Sequence, residues 1–272
     1  MFDPTDYKWP TPKRLVLSLL SSPELKEIGA RECVKWGRLF DIDPTAMRVA
    51  LGRLVKAGFL RSVVRGRYAI GDRGRVLSET ARRWVSAEER VGAWDGRWLM
   101  VHTAHLGRRD QSALKLRDRA LQLVGFAELR SGLWCRPANY RESSAETRAR
   151  LRELGLGEEA IILRADSLLL ETRELAALWP RQALEEAYAV LTQAMIDSMA
   201  RGDADDTDAG KEALARETFL LGEAVIRQIN GDPLLPDAMV DVAARRKMHE
   251  TMVAYEAFGR DAWARFQAPG AQ

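Results

Sequence analysis

Apolar residues along this chain recur first at helical spacing, then in short runs, then at helical spacing again. The first block predicts helices over Pro12–Leu20 and Ala30–Phe40. A third helix over Pro44–Ala57 has Met47, Ala50, Leu51 and Leu54 on one face. Phe59–Val64 and Tyr68–Ile70 read as two short strands with Arg65-Gly66-Arg67 between them. Asp72–Arg90 reads as one long helix, with Val76, Thr80, Trp84 and Ala87 along one side, a connector, a strut between subunits or equally a stripe packed within one subunit. The second block alternates: a strand over Trp98–Ala104, a helix over Gln111–Val124, a hairpin of Phe126–Leu129 and Leu133–Arg136 around Ser131-Gly132, a helix over Ser143–Leu154 and a strand over Ala160–Ala165. Beyond Leu170 the pattern is wholly helical: Arg173–Leu178, Pro180–Met199, Gly210–Ile229 and Pro236–Phe266.

This order predicts an α+β multidomain chain. Residues 1–90 read as a winged helix-turn-helix domain with a connector helix. Residues 91–168 read as a ferredoxin-like βαββαβ domain, and residues 169–272 as an α-helical C-terminal domain. Local chemistry supports the first of these. Asp43 suits an N-cap, and Pro44 suits the first helical position, where its missing N–H leaves no bond unmade. The outward face of the Pro44–Ala57 helix carries Thr45, Val49, Gly52 and Lys56, flanked by Arg48 and Arg53. Small residues mixed with bases allow close approach to a groove and contact with phosphate. A basic helix face alone is usually a solvated surface; the adjoining hairpin, with an arginine on each side of its glycine, favours nucleic acid. The candidate contacts are Thr45, Arg48, Arg53 and Lys56 on the helix, and Arg65 and Arg67 on the wing.

Charge distribution sharpens this reading. The 272 residues carry a formal net charge of only +3. Residues 1–85, however, hold 17 Lys and Arg against 9 Asp and Glu, a local +8, which leaves −5 for the remainder. A basic N-terminal module on an acidic body fits a DNA reader joined to a sensing or assembly domain. Cys33 and Cys135 lie far apart in apolar contexts and read as buried thiols. Met1–Pro10 has no apolar core of signal length, and no run approaches the roughly 18 apolar residues of a membrane span, so a cytoplasmic protein is expected.

Reaction chemistry is sparse. His102 and His105, three apart at a strand end, are expected on opposite faces and make a poor metal pair. No Ser/Cys–His–acid set, phosphate-cradling glycine loop or HExxH motif is present. The acidic stretch Arg201–Asp208 lacks the positions of a calcium loop and reads as a solvated turn. Trp94, Trp98, Trp134 and Trp179 read as core, and Arg141, Arg148, Arg150 and Arg152 as a charged helix face, so the effector-binding residues stay unknown. No catalytic residue, metal or cofactor is expected.

Several motifs in order resemble the PaaX family of phenylacetate-catabolism repressors. Trp94-Asp95-Gly96-Arg97-Trp98 is similar to that family's Trp-Asp-Gly-x-Trp opening of its middle domain. Gly125-Phe126-Ala127-Glu128-Leu129, then Gly132-Leu133-Trp134 and Pro137, are similar to its hairpin. Asp232-Pro233-Leu234-Leu235-Pro236 is similar to its Asp-Pro-x-Leu-Pro segment. Thr11-Pro12 with Leu15 and Leu17, and Ala57-Gly58-Phe59-Leu60, agree with its winged domain. The resemblance implies a homodimer on a palindromic double-stranded operator, released by an aryl-CoA thioester such as phenylacetyl-CoA. It also implies a middle domain with the fold of the small nucleases of CRISPR adaptation. Those nucleases carry a metal-binding Asp at the end of their first strand, where this chain has Thr103-Ala104-His105-Leu106. Its wing is more compact than the family's, and Asp237-Ala238-Met239-Val240 stands where the family continues Trp-Pro-Gly.

The expected function is a DNA-binding repressor of an aromatic-acid catabolic operon. The Pro44–Ala57 helix would enter the major groove, with its dimer mate one duplex turn away, roughly 34 Å, or a multiple of that. The alternative is a ferredoxin-like enzyme acting on nucleic acid or acyl-CoA, with the winged module as an accessory.

Overall fold

In the computed structural model, residues 9–22, 25–170, 172–202 and 205–268 are described. The readings that fell on Met1–Lys8 and on Asp203 lie outside them. The chain forms α-helices and two antiparallel sheets. It divides into two compact units. One holds residues 1–85, 193–226 and 252–272; the other holds 86–192 and 227–251. The helical residues expected to stand apart as 169–272 are therefore shared between the two units.

In the first unit, α1 (Pro12–Leu20) is started by Thr11, whose Oγ1 accepts the Arg14 amide at 3.3 Å. A strand β1 (Glu27–Gly29) follows, then α2 (Ala30–Arg38) and α3 (Pro44–Lys56). The hairpin strands are β2 (Leu60–Val64) and β3 (Arg67–Ile70). Sheet order is β1-β3-β2, so β1 adds a third strand that hydrophobic periodicity missed. Three residues are too few to show a period. Leu15, Ile28, Cys33, Trp36, Met47 and Leu51 form the centre of the core, joined by Phe219, Trp263 and Phe266 from the late helices.

The helix expected over Asp72–Arg90 is broken. Only Asp72–Ala81 is α-helical (α4); Arg82–Ser86 and Glu88–Arg90 are 3-10 turns. The assumed single face does not exist, because Val76 is 62% exposed while Trp84 is 2% exposed and Ala87 is fully buried. Burial of Trp84, with Arg82 held by the Ser21 carbonyl at 3.4 Å and Glu256 at 3.5 Å, overrides the local helical pattern.

The second unit contains a four-stranded sheet of β4 (Trp98–His102), β5 (Ala127–Arg130), β6 (Leu133–Pro137) and β7 (Ile161–Ala165), in the order β5-β6-β4-β7. Two helices, α5 (Gln111–Leu123) and α6 (Ser144–Glu153), alternate with the strands. All pairings are antiparallel, with Met100 opposite Cys135 on one side and Leu163 on the other. Leu99 and Val101 pack with Leu121, Val124, Phe126, Trp134 and Leu151. The remaining helices are α7 (Thr172–Leu178), α8 (Arg181–Arg201), α9 (Asp208–Gly231) and α10 (Val242–Gln267). The last begins six residues later than Pro236. Residues 236–240 instead form a turn with the Met239 amide on the Pro236 carbonyl, and Asp241 then caps the helix through the Ala244 amide at 2.9 Å.

Candidate nucleic-acid interface

The position of α3 is set from both ends. Asp43 Oδ1 accepts the amides of Thr45 and Ala46 at 2.8 and 2.9 Å, satisfying two donors that the first helical turn leaves open. The turn before it places Asp41 at φ 50° and returns the Ile42 amide to the Gly37 carbonyl at 3.0 Å. Gly37 lets the turn pack closely there: a Cβ would lie 2.9 Å from Met47 Cε and 3.3 Å from Ile42 Cβ. At the far end, Arg73 Nη1 donates to the Ala57 carbonyl at 3.2 Å, and its guanidinium lies 5.0 Å over the Phe59 ring. Met47, Leu51 and Leu54 bury the inward face.

The opposite face is open. Thr45, Arg48, Arg53 and Lys56 are exposed, and so is Val49 at 47%. A Cβ on Gly52 would meet nothing within 4 Å, so this face is also low in relief. Among the described residues none of Arg48, Arg53 and Lys56 has an ion-pair partner. Their charge is uncompensated and faces water.

The hairpin turns at Arg65-Gly66, with Gly66 at φ 80°, a conformation that favours glycine. Its tip is tied back to the helices, because the Gly66 carbonyl accepts the Ala30 amide at 2.8 Å, at the start of α2. Arg65 and Arg67 are exposed at this tip. Arg67 is half engaged: its Nε lies 3.3 Å from Glu27 Oε2 on β1. Reasoning from the sequence missed this pair because it missed β1. It also passed over Arg61, an exposed base on β2 beside the same tip.

Other candidate chemistry resolves differently. His102 and His105 do not face apart: Nδ1 to Nδ1 is 3.3 Å, with the ring planes at 19°. The strand ends at His102, and a 3-10 turn over Ala104–Leu106 brings His105 back beside it, with Nε2 donating to the Glu159 carbonyl at 2.9 Å. Among the described residues no group of three or more His, Cys, Asp or Glu is placed to hold a metal. In the acidic stretch, Asp205 accepts from the Thr207 amide and hydroxyl, and Asp206 pairs with Lys211 at 3.2 Å. Cys33 and Cys135 are buried free thiols, each pushed up to about 12 by burial. Trp98, Trp134 and Trp179 are core residues. Half-buried Trp94 meets Trp98 edge-on at 5.3 Å. No described helix is long and apolar enough to cross a membrane.

The Arg148-to-Arg152 run is not simply a solvated face. Arg148 is exposed, but Arg150 is only 9% exposed. Nearby, Arg136 is fully buried, donating from Nε to the Pro137 carbonyl, from Nη1 to the Val124 carbonyl and from Nη2 to Asn139 Oδ1. Asn139 in turn donates to the Leu234 carbonyl at 2.7 Å. Leu234 has φ 52°, and its amide is held by Asp232 Oδ1 at 2.7 Å. The hydroxyl of Tyr188 donates to the other Asp232 oxygen at 2.5 Å, and Arg245 Nη1 donates to the Leu235 carbonyl. The Asp232–Pro236 segment is thus strapped by buried polar side chains.

Fold and surface together define a mixed α+β chain that carries a small basic helix-and-hairpin module and a separate antiparallel sheet domain. Within the sheet domain, residues 91–177 match the family model described as the PaaX protein central Cas2-like domain. Over its length the chain is also similar to a solved structure, the uncharacterized protein Rv0674 from Mycobacterium tuberculosis. The two are 26% identical, with a TM-score of 0.59 over 93% of this chain and 99% of that one. A comparison with curated proteins finds no match.

Proposed function

We propose that this chain is a cytoplasmic, DNA-binding transcriptional regulator of the PaaX type. It acts as a homodimeric repressor of an aromatic-acid catabolic operon and is released by an aryl-CoA thioester of the phenylacetyl-CoA kind. In this reading α2, α3 and the β2–β3 hairpin are a winged helix-turn-helix, and β4 to β7 with α5 and α6 are a ferredoxin-like domain. The observation that carries it is the outward face of α3: exposed Thr45, Arg48, Arg53 and Lys56 around Gly52, on a helix locked at both ends. Long bases around a low centre suit a major groove, where base edges specify sequence and phosphates fix position. Arg65 and Arg67 would grip the flanking backbone.

The test is titration of native-promoter and random duplexes against wild type, Arg48→Ala and Arg67→Ala. Arg48→Ala is expected to lose about 1–3 kcal/mol on the promoter, and Arg67→Ala to weaken both duplexes alike. Unchanged affinity in both variants would remove the assignment. Metal-dependent cleavage of the duplexes would favour the enzyme alternative instead. A thermal-shift panel of aryl-CoA thioesters tests the effector; no shift across it counts against that part.

A further inference from the structure

The second unit buries more positive charge than its carboxylates balance at one place. Arg136 Cζ lies 3.3 Å from the Tyr140 ring centroid, and Arg150 Cζ lies 5.9 Å from the same centroid. Arg90 sits at this point too: Val91 bridges to Tyr140, and the Arg90 carbonyl accepts the Arg141 amide at 2.8 Å. The ionisable groups acting on Arg90 are Tyr140 first, then Arg150, Glu142 and Arg136. Among the described residues the carboxylate at this place is Glu142, 3.6 Å from Arg150 Nη1 and also held by the Thr147 hydroxyl at 3.0 Å. Three guanidiniums therefore face one carboxylate. Arg141, exposed at the rim, turns its Nε to the Val91 carbonyl. Tyr140 donates to the Val124 carbonyl.

The donors are also unspent. Arg136 is hydrogen-bonded from all three nitrogens, but Nε and Nη1 of both Arg90 and Arg150 are buried without a hydrogen-bond partner, and Arg150 Nη1 has only its 3.6 Å ion pair with Glu142. A buried guanidinium normally fills its fork, because a desolvated charge without partners is strongly unfavourable. Burial accordingly pushes Arg90 and Arg136 below the ordinary arginine value. Three guanidiniums against one carboxylate leave a net excess of two positive charges, which complements a doubly charged tetrahedral oxyanion better than a single carboxylate does. Arg90 and Glu142 are only half-buried, so the cluster reaches the surface at these two residues.

We propose that Arg90 and Arg150, with Arg136 behind them as a fixed charge, form a binding site for a phosphate-type oxyanion, free or carried on a small organic molecule. The site belongs to the second unit and does not rest on the nucleic-acid reading. The test is calorimetric titration of the full chain with inorganic phosphate, pyrophosphate and a nucleoside 5′-diphosphate, with acetate as control at matched ionic strength. Saturable binding of the phosphates and none of acetate is expected. A free anion gives binding by the inorganic ions alone; an organic source gives equal or tighter binding of the nucleoside diphosphate. Arg90→Gln should weaken binding roughly tenfold or more. Glu142→Gln, which removes the competing carboxylate, should tighten it, a response that a purely structural cluster would not give. Equal responses to phosphate and acetate would overturn the site, as would unchanged affinity in Arg90→Gln or no tightening in Glu142→Gln.

Discussion

Arginine is used in two opposite ways in this chain. On α3 and the hairpin tip, Arg48, Arg53 and Arg65 are exposed, and among the described residues they lack ion-pair partners. In the second unit Arg136 and Arg245 are almost wholly buried, and each is wrapped by acceptors. Arg245 Nε reaches Glu88 at 2.7 Å and its Nη1 reaches the Leu235 carbonyl at 2.7 Å. The exposed set contributes little to folding, since a solvated charge loses nothing on staying solvated. The buried set is committed to structure, because removing any partner strands a desolvated charge. Function by electrostatic contact is therefore expected of the first set and stability of the second. Arg150 falls between the two, buried like the second set and under-partnered like the first.

The largest effect that could break this contrast lies in the buried set. Glu88→Ala should destabilise the protein by about 3–5 kcal/mol in chemical denaturation, because it strands Arg245, while leaving α3 untouched. A loss below about 1 kcal/mol would mean that Arg245 is not a structural charge. Next is Gly52→Leu on the open face of α3. It should leave stability equal or about 0.5–1 kcal/mol higher, since leucine is the better helix former. Duplex affinity should nevertheless fall about tenfold or more as the close approach is blocked. Stability and binding falling together would show that Gly52 serves packing. Smaller still is Glu27→Gln, which frees Arg67. Stability should change by less than about 1 kcal/mol, as for an exposed pair, and duplex affinity should rise modestly. The smallest expectation is an absence of reaction. With both thiols pushed up to about 12 they stay protonated at pH 8, so a thiol reagent should label Cys33 and Cys135 only after unfolding.

What could be read from the chain follows the range of the physics. Helices α1 and α3 begin where Thr11-Pro12 and Asp43-Pro44 say they should, because capping is decided within four residues. The β4-to-β7 order was legible from alternating elements. The exposed placement of Thr45, Arg48, Arg53, Lys56, Arg65 and Arg67 was legible from helical spacing and turn chemistry. The failures all depend on tertiary neighbours. Trp84 is buried against the helical trend of Asp72–Arg90, and a turn at Ala104–Leu106 folds His105 onto His102. Arg150 disappears beneath a face that composition alone makes solvated. β1 is too short for any period, and with it went the Glu27–Arg67 pair that moderates one of the candidate contacts.

The salt dependence of duplex binding probes the role of the exposed bases most directly. Anisotropy titrations with a native-promoter duplex should give a logarithmic affinity that falls linearly with logarithmic salt, by about 0.9 per phosphate neutralised. In the Arg53→Ala, Lys56→Ala double variant that slope should shrink by about two, with the thermal midpoint unchanged. A wild-type affinity indifferent to salt, or a slope untouched by the double variant, would contradict the assignment of α3 as the surface that meets DNA.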